Sequence, residues 1–576
     1  MVERPFLLHE MKRLRWQILV VVLSLVAIAI LLIGQKPELL PGEESAPDQP
    51  SEGGIYSEAL VGQLGRLNPL LDYYNPVDRD VDRLIFSGLV RFDDRGLPHG
   101  DLAETWGISQ DGKVYNFSIR SKAVWHDGKP VTSEDILFTI DLMRNEGIPL
   151  PVDLREFWQQ VEVKELDSKT LQFRLPEPYA PFLDYLTFGV LPRHILEDTP
   201  PESVVDDPFN LNPIGSGPYQ FERLIIEGNQ IKGVILSVNK DYYGELPFIE
   251  QVVFRYYSAS QAAFDAYKNG EVLGVSQITQ DTLKTALTEL NLNLYTGRVP
   301  RMGIVYLNLD DPSLPFFQDA TLRRALIMAI NRQSIIDRLL GGQAILADGP
   351  ILPGTWAYYD GIERIPYDPD AALTILKKAG YTVPAEGGNV RAKDGVSMTF
   401  EMVHPDMEPY ITIARAIQDE WSKIGVRADL KAVPYQDLVS NYMETGNYQA
   451  ALVDLDQGRT PDPDPYPFWH QSQITGGQNY SHWDDRQASE YLERARVLDD
   501  LADRTKLYRN FQVRWTNQMP ALPLYYWVYS YGIDNQVQRV RIGPLFDLPD
   551  RFNNLNSWYF TVRPANEAEQ TPSSTP

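Results

Sequence analysis

The fold is decided by residues 102–140, LAETWGISQDGKVYNFSIRSKAVWHDGKPVTSEDILFTI, which predict a β-hairpin, a loop and the start of a helix. Asp111-Gly112 tolerates the positive φ of a tight hairpin turn. The strand after this turn alternates apolar and polar residues, as a strand with one buried face does, and its apolar positions are Tyr115, Phe117 and Ile119. Thr132 lies where a helix N-cap is expected, just before the apolar residues of the helix.

The order of short motifs in this stretch resembles a known family. LAETW, the Asp-Gly turn, FSIR and WHDGKPVTSEDI are similar in sequence and order to the signature of the family 5 solute-binding proteins of the peptide/nickel type. Those proteins deliver ligands to ABC importers from outside the membrane. Further family-like motifs follow, among them GSGPY at residues 215–219 and NKDYY at residues 239–243. The resemblance covers nearly all of residues 55–559.

The resemblance implies an α/β fold with two lobes, like the type II periplasmic binding proteins, and an additional α+β subdomain in the first lobe. Length agrees with several lobes, because 576 residues exceed what one hydrophobic core usually supports. The lobes would close on a ligand about hinges near Val299 and Pro523. The expected boundaries are lobe I at 55–80, 213–298 and 524–563, the additional subdomain at 81–212, and lobe II at 299–523.

Composition excludes several classes of function. The net charge of −25 argues against nucleic acid as a partner, because a nucleic-acid surface needs clustered Lys and Arg. The chain contains no cysteine, which excludes disulfides, thiolate metal sites and cysteine nucleophiles. It also excludes the lipid-bearing cysteine that many exported binding proteins use as an anchor.

The N-terminus predicts a different anchor. Residues 1–15 are basic, and residues 16–34, WQILVVVLSLVAIAILLIG, carry no charge and are about long enough to cross a bilayer. The basic flank predicts a cytoplasmic N-terminus at residues 1–15 and an extracytoplasmic folded domain. A cleaved signal peptide is the alternative, but no small-x-small site follows, so we expect one uncleaved transmembrane helix at 16–34. Residues 35–54 predict a disordered linker, and residues 564–576 a disordered tail.

Candidate ligand-binding residues follow from the resemblance. Asn68 lies where the family's first lobe meets the ligand, although an ordinary Asn-Pro turn explains it equally well. The strand at 448–453 leads into an acidic loop, and in peptide-binding members a carboxylate there receives the peptide's amine. Asp454 and Asp456 are therefore candidate amine partners, with loop capping as the alternative. Leu455 stands where the family usually has Trp.

Aromatic and amide side chains complete the candidate site. Trp469, Asn479 and Tyr480 follow the acidic loop in a family-like order and are candidates for the pocket lining. Tyr526 and Trp527 lie where the chain returns to the first lobe, and they are candidates for an aromatic wall. Packing in the core is the alternative for each aromatic.

The residues and the resemblance together predict a membrane-anchored, extracytoplasmic solute-binding subunit of an ABC importer that captures peptides or similar small solutes. Its expected partners are the permease and ATPase subunits, and we expect a monomer without a cofactor. The seven histidines lack the spacing that metal sites on helices use. A tethered extracellular hydrolase or sensor is the alternative, but the sequence shows neither a catalytic set nor a cytoplasmic output domain. The ligand stays open among dipeptides, oligopeptides, nickel complexes and oligosaccharides.

Overall fold

The computed structural model describes residues 50–385 and 387–561, and Ser51–Phe560 form one compact unit. Within these described residues, no helix has both the length and the apolar character that crossing a membrane requires. The segments at 1–15, 16–34 and 564–576 lie outside the described residues, as does most of the expected linker. The last part of that linker, at Pro50–Ser51, forms a short strand.

The β-structure is spread over most of the described chain. Its strands are β1 Pro50–Ser51, β2 Ile55–Val61, β3 Val90–Phe92, β4 Pro98–Gly100, β5 Ala103–Ile108, β6 Val114–Ile119, β7 Glu162–Asp167, β8 Thr170–Arg174, β9 Tyr219–Glu227, β10 Gln230–Val238, β11 Gln251–Tyr257, β12 Gly274–Val275, β13 Leu292–Leu307, β14 Ala344–Leu346, β15 Ala392–Lys393, β16 Val396–Ser397, β17 Thr399–Pro405, β18 Arg427–Val433, β19 Ala450–Asp456, β20 Ala521–Asp534, β21 Val537–Gln538 and β22 Tyr559–Thr561.

The helices lie between and around these strands. They are α1 Pro76–Ile85, α2 Ser133–Met143, α3 Val152–Gln160, α4 Arg193–Leu196, α5 Ser260–Lys268, α6 Gln280–Ala286, α7 Pro315–Gln318, α8 Ala320–Met328, α9 Arg332–Ser334, α10 Pro369–Lys378, α11 Tyr410–Lys423, α12 Tyr435–Asp437, α13 Tyr466–Trp469, α14 Arg486–Val497 and α15 Leu501–Gln518. Short π-helical turns extend α9 and α12.

The hairpin and helix predicted from residues 102–140 are confirmed. Strands β5 and β6 pair antiparallel, with Trp106 opposite Phe117, and belong to a four-stranded sheet in the order β5-β6-β8-β7. Gly112 has φ +68°, the left-handed conformation that the tight turn requires. Helix α2 begins after Thr132, which forms a capping box with Asp135.

An 11-stranded sheet joins the two halves of the molecule. Its order is β18-β17-β19-β13-β20-β12-β2-β11-β10-β9, and β14 pairs with β20 off this path. The two long strands β13 and β20 pair antiparallel from Leu292 opposite Asp534 to Tyr306 opposite Ala521. Their register shifts between Arg298 and Met302, so the ladder is irregular near the middle of β13.

Two large apolar cores lie at opposite ends of these long strands. The lobe I core contains side chains of the additional subdomain as well, and includes Tyr56, Phe117, Trp158, Tyr531 and Trp558. The lobe II core includes Ile304, Phe400, Trp421, Trp515 and Tyr525. Along β13 the packing changes from the lobe I core at Val299 to the lobe II core at Met302. Along β20 it changes between Trp527 and Tyr529, slightly beyond the boundary expected near Pro523.

A fully buried ion network fixes the lobe I end of the sheet. The guanidinium of Arg551 donates to Glu58 Oε1 at 2.7 Å and to Asp80 Oδ1 at 2.5 Å, and the Arg551 side chain has no exposed surface. The hydroxyls of Tyr56 and Tyr531 both donate to Glu58 Oε2. Burial alone would lower the pKa of Arg551, but the two carboxylates raise it well above its usual value. This arginine therefore stays charged and compensates two buried acids.

The substitution Arg551→Met should lower the free energy of unfolding by about 3–5 kcal/mol, because it leaves two buried carboxylates without their cation. Urea unfolding followed by tryptophan fluorescence measures the change. Arg364→Met is the matched control, since its ion pair with Asp360 is exposed and should contribute little. Equal midpoints for both variants would show that the buried network contributes nothing.

Candidate functional site

The candidate site lies on three adjacent strands, β19, β13 and β20, where β13 and β20 pass from one core to the other. In the ladders of the large sheet, Gly303 on β13 is opposite Asp454 on β19 and Tyr525 on β20. Residues directly opposite one another in an antiparallel sheet project to the same face, and so do residues two apart along a strand. Arg301, Trp527 and Asp456, which is opposite Arg301 on β19, therefore project to the same face. We call Gly303, Asp454, Tyr525, Arg301 and Trp527 the hinge platform.

A glycine at the centre of the hinge platform makes room for an aromatic ring. A Cβ atom on Gly303 would lie 2.3 Å from Cζ of Tyr525, so the tyrosine ring lies across the strand at this position. Tyr525 is fully buried and cannot move aside into solvent. Burial, and next the charge of Asp454, raise the pKa of Tyr525 well above its usual value.

Asp454 is the polar centre of the hinge platform. Its Oδ2 accepts hydrogen bonds from Nε of Arg301 at 2.6 Å, the hydroxyl of Tyr410 at 2.7 Å and Nε1 of Trp527 at 2.7 Å. Tyr410 is the first residue of α11, and it also accepts from Nη2 of Arg301 at 3.1 Å. The Asp454 side chain is only 5% exposed. All three donors therefore bond to the same oxygen of a nearly buried carboxylate.

Two polar atoms of the hinge platform lack hydrogen-bond partners among the described residues. They are Oδ1 of Asp454 and the hydroxyl of Tyr525, and both are buried. A buried polar atom without a partner costs roughly 1–3 kcal/mol, so such atoms are uncommon unless a bound group satisfies them. A carboxylate oxygen only accepts, whereas a tyrosine hydroxyl also donates. Together they suit a bound polar group that both donates and accepts.

Arg301 is more accessible than the carboxylate that it holds. Its side chain is 51% exposed, and its guanidinium lies 5.7 Å from the ring centroid of Trp527. Burial would lower the pKa of Arg301, but Asp454 and then Tyr410 raise it, so the guanidinium stays charged. The hinge platform therefore carries one positive group, Arg301, and one carboxylate, Asp454, whose Oδ1 accepts no hydrogen bond from the described residues.

The acidic loop after β19 also has resident cations. Asp462 pairs with Arg504 at 2.5 Å, and Asp464 pairs with Arg496 at 2.6 Å. Asp456 is exposed, and its carboxylate accepts only from the backbone of its own turn. Unlike Asp462 and Asp464, Asp456 therefore has no arginine partner among the described residues. The expectation that this loop meets a positive group of the ligand stays a prediction.

The structure brings two of the sequence-derived candidates into contact, Asp454 and Trp527. Asp456 is described above, and the side chains of the remaining five candidates lie elsewhere. Asn68 and Asn479 are buried and hydrogen-bonded to neighbouring protein groups. Trp469 and Tyr526 are also buried, and Tyr480 is half-buried against an aromatic neighbour. Ligand contacts of these five residues stay predictions.

Sequence reasoning missed four members of this site, Arg301, Gly303, Tyr410 and Tyr525. Strand alternation places Tyr525 and Trp527 on one face of β20 and Tyr526 on the other, so the period of two could have identified Tyr525. No local pattern singles out Arg301 or Tyr410, because they reach Asp454 from separate parts of the chain.

A second set of contacts joins the lobes beside the hinge platform. Arg459 donates to the backbone oxygen of Tyr73 at 3.0 Å and lies 4.5 Å from the centroid of its ring. The backbone N–H of Asp462 donates to Oδ2 of Asp184 at 2.8 Å. Burial, and next the charge of Asp462, raise the pKa of Asp184 well above its usual value. These contacts connect the acidic loop to segments that contain Leu71 and Leu183, which pack against the lobe I core.

Comparison with known proteins agrees with this architecture. Residues 98–477 match the model of the bacterial extracellular solute-binding proteins, family 5 Middle. The chain belongs to this family, whose members are transport binding proteins rather than enzymes. The oligopeptide-binding protein AppA of Bacillus subtilis is 26% identical over 542 residues, covering 91% of this chain and 95% of that protein. The dipeptide-binding protein of Escherichia coli is 26% identical over 474 residues, covering 77% and 84%.

Solved structures share the two-lobed fold. NikZ from Campylobacter jejuni, in complex with Ni(L-His), superposes with a TM-score of 0.63 at 26% identity, covering 88% of this chain and 99% of that one. The unliganded open form of the murein tripeptide binding protein MppA gives a TM-score of 0.75 at 19% identity, covering 89% and 99%. The predicted family and the two-lobed α/β fold are confirmed.

Substituting Gly303→Ala should lower the free energy of unfolding by about 1–3 kcal/mol, because the new methyl group overlaps the buried Tyr525 ring. Chemical denaturation measures the loss. Gly107→Ala is the control, since β5 leaves open space around that glycine. If both variants unfold at the same denaturant concentration, the packing of the Tyr525 ring does not require a glycine at position 303.

Proposed function

We propose that this protein captures a peptide or a similar small solute at the hinge platform, between its two lobes, and delivers it to the permease of an ABC importer. Family membership supports the solute-binding role. The relatives named as oligopeptide-binding and dipeptide-binding proteins support the peptide class. The observation that carries the proposal is the pair of unpartnered buried atoms, Oδ1 of Asp454 and the hydroxyl of Tyr525, at the junction of the lobes.

Capture follows from the position of these atoms on the crossing strands. A solute that bonds to the hinge platform and touches the opposite lobe binds the closed arrangement more tightly, and it therefore shifts the population toward that arrangement. The irregular register near Arg301 is where β13 can bend while the rest of its ladder stays paired. The permease would then recognise the closed form.

Anchoring to the membrane is the second part of the proposal. The basic residues before position 16 and the uncharged run at 16–34 favour a single helix with the folded domain outside the cytoplasm. The absence of cysteine leaves no residue for a lipid anchor. Such a tether would keep the binding domain close to its permease.

Solute capture is tested by mass spectrometry of small molecules released from the natively purified full chain. We expect an intact peptide or similar solute from the wild type, and affinity for that solute reduced roughly tenfold or more in Asp454→Asn. The reduction follows because hydrogen bonds to charged groups contribute about 1.5–3 kcal/mol. Asp360→Asn is the control, because this carboxylate is exposed and pairs with Arg364, and it should bind like the wild type. Equal affinities for the two variants, or recovery of a cleaved product, would contradict the proposal.

Anchoring is tested on protein isolated from the cells that make it. We expect the protein in the membrane fraction with its N-terminal residues intact, because the uncharged run is long enough to span and no cleavage site follows it. Edman sequencing reads the terminus directly. A sequence that starts near residue 35 would refute the anchor and leave solute capture untouched.

A further inference from the structure

We propose that Arg301 is a resident counter-ion that occupies the place of a ligand's ammonium group at Asp454, so that the site selects solutes whose bound end is an uncharged amide. This inference rests on the proposed function, and it names the class of solute. The proposed function assigns ligand binding to the carboxylate of Asp454. This inference assigns the choice between charged and uncharged ligands to Arg301, which is already bonded to that carboxylate.

The first step is the occupancy of Asp454. Its Oδ2 already receives three donors, from Arg301, Tyr410 and Trp527. A carboxylate oxygen with three donors has no room for a fourth strong bond, so a ligand reaches only Oδ1. The negative charge that would attract a ligand's cation is also matched by the guanidinium, at 2.6 Å.

The second step is the cost of a second cation. An ammonium group at Oδ1 would lie on the same carboxylate as the guanidinium of Arg301, close enough for the two positive charges to repel. Such repulsion is strong where protein displaces water, because the effective dielectric constant is low. Arg301 cannot relieve it by losing its proton, since Asp454 and Tyr410 raise its pKa.

The third step is the match with an amide. Oδ1 of Asp454 only accepts, and the hydroxyl of Tyr525 can donate, so an N–H group complements the first atom and a carbonyl oxygen complements the second. An amide offers both without a charge. The rings of Tyr525 and Trp527, whose centroids lie 5.3 Å apart, provide an apolar wall beside it. N-acylated peptides and lactams carry such an end, whereas a free peptide terminus carries an ammonium.

The test uses the full chain and an equal mixture of peptides of two to nine residues, half with free amino termini and half N-acetylated with an isotope label. Captured peptides are counted by mass spectrometry. We expect the wild type to enrich the acetylated form roughly tenfold or more over the free form. Arg301→Met removes the resident cation and leaves the Asp454 side chain in place, so the ratio should move toward the free amine by a similar factor.

Two further variants act as controls. Arg301→Lys keeps the positive charge and should keep the preference for the acetylated form. Arg298 lies on the same strand, and its guanidinium donates to the backbone oxygen of Pro353. The variant Arg298→Met should therefore behave like the wild type. Circular dichroism checks that each variant is folded. The ratio of acetylated to free peptides captured by the wild type tests the inference even if a variant fails to fold.

The outcomes separate this inference from the proposed function. Preference of the wild type for free amines, or the same ratio in wild type and Arg301→Met, would overturn the role of Arg301 and leave solute capture standing. Capture of neither peptide form would overturn this inference, while a native solute released from the purified chain would still support solute capture. An acetylated preference that disappears in Arg301→Met and persists in Arg301→Lys would support the inference.

Discussion

The pairing of β13 with β20 is the constraint on which the rest of the structure depends. Each strand belongs to both apolar cores, so the two lobes share one ladder instead of a flexible linker. The irregular register near Arg301 lies between the cores, at the point where we propose that β13 bends. The same crossing places Asp454, Gly303 and Tyr525 side by side. One feature of the sheet therefore positions both the bending point and the polar atoms.

Buried charge follows a common pattern in the two lobes. Arg551 compensates Glu58 and Asp80 in the lobe I core, and both of these carboxylates are hydrogen-bonded. Arg301 compensates Asp454 at the crossing but leaves Oδ1 unused. A fully satisfied network stabilises and fixes a core, whereas a partly satisfied one is a place for something else to bind. Oδ1 of Asp454 is therefore the atom of these two networks at which we propose that a ligand binds.

Local patterns predicted the parts of the structure that depend on local physics. The Asp-Gly turn, the alternation of Tyr115 and Phe117, and the cap at Thr132 predicted the hairpin and helix that the structure contains. The resemblance, rather than any local rule, suggested Asp454 and Trp527 as ligand-binding candidates. Arg301 and Tyr410 were not predictable, because their meeting depends on how distant strands and a helix pack.

The order of the chain has a consequence for how the molecule is made. More than 200 residues separate the end of β13 from the start of β20, and the whole of lobe II lies between them. Contacts between such distant segments form slowly, and a chain that emerges from its N-terminus acquires β20 late. A nascent chain halted before residue 521 has one half of the shared ladder and exposes the apolar face of β13. Assembly of both lobes therefore waits until β20 has been made.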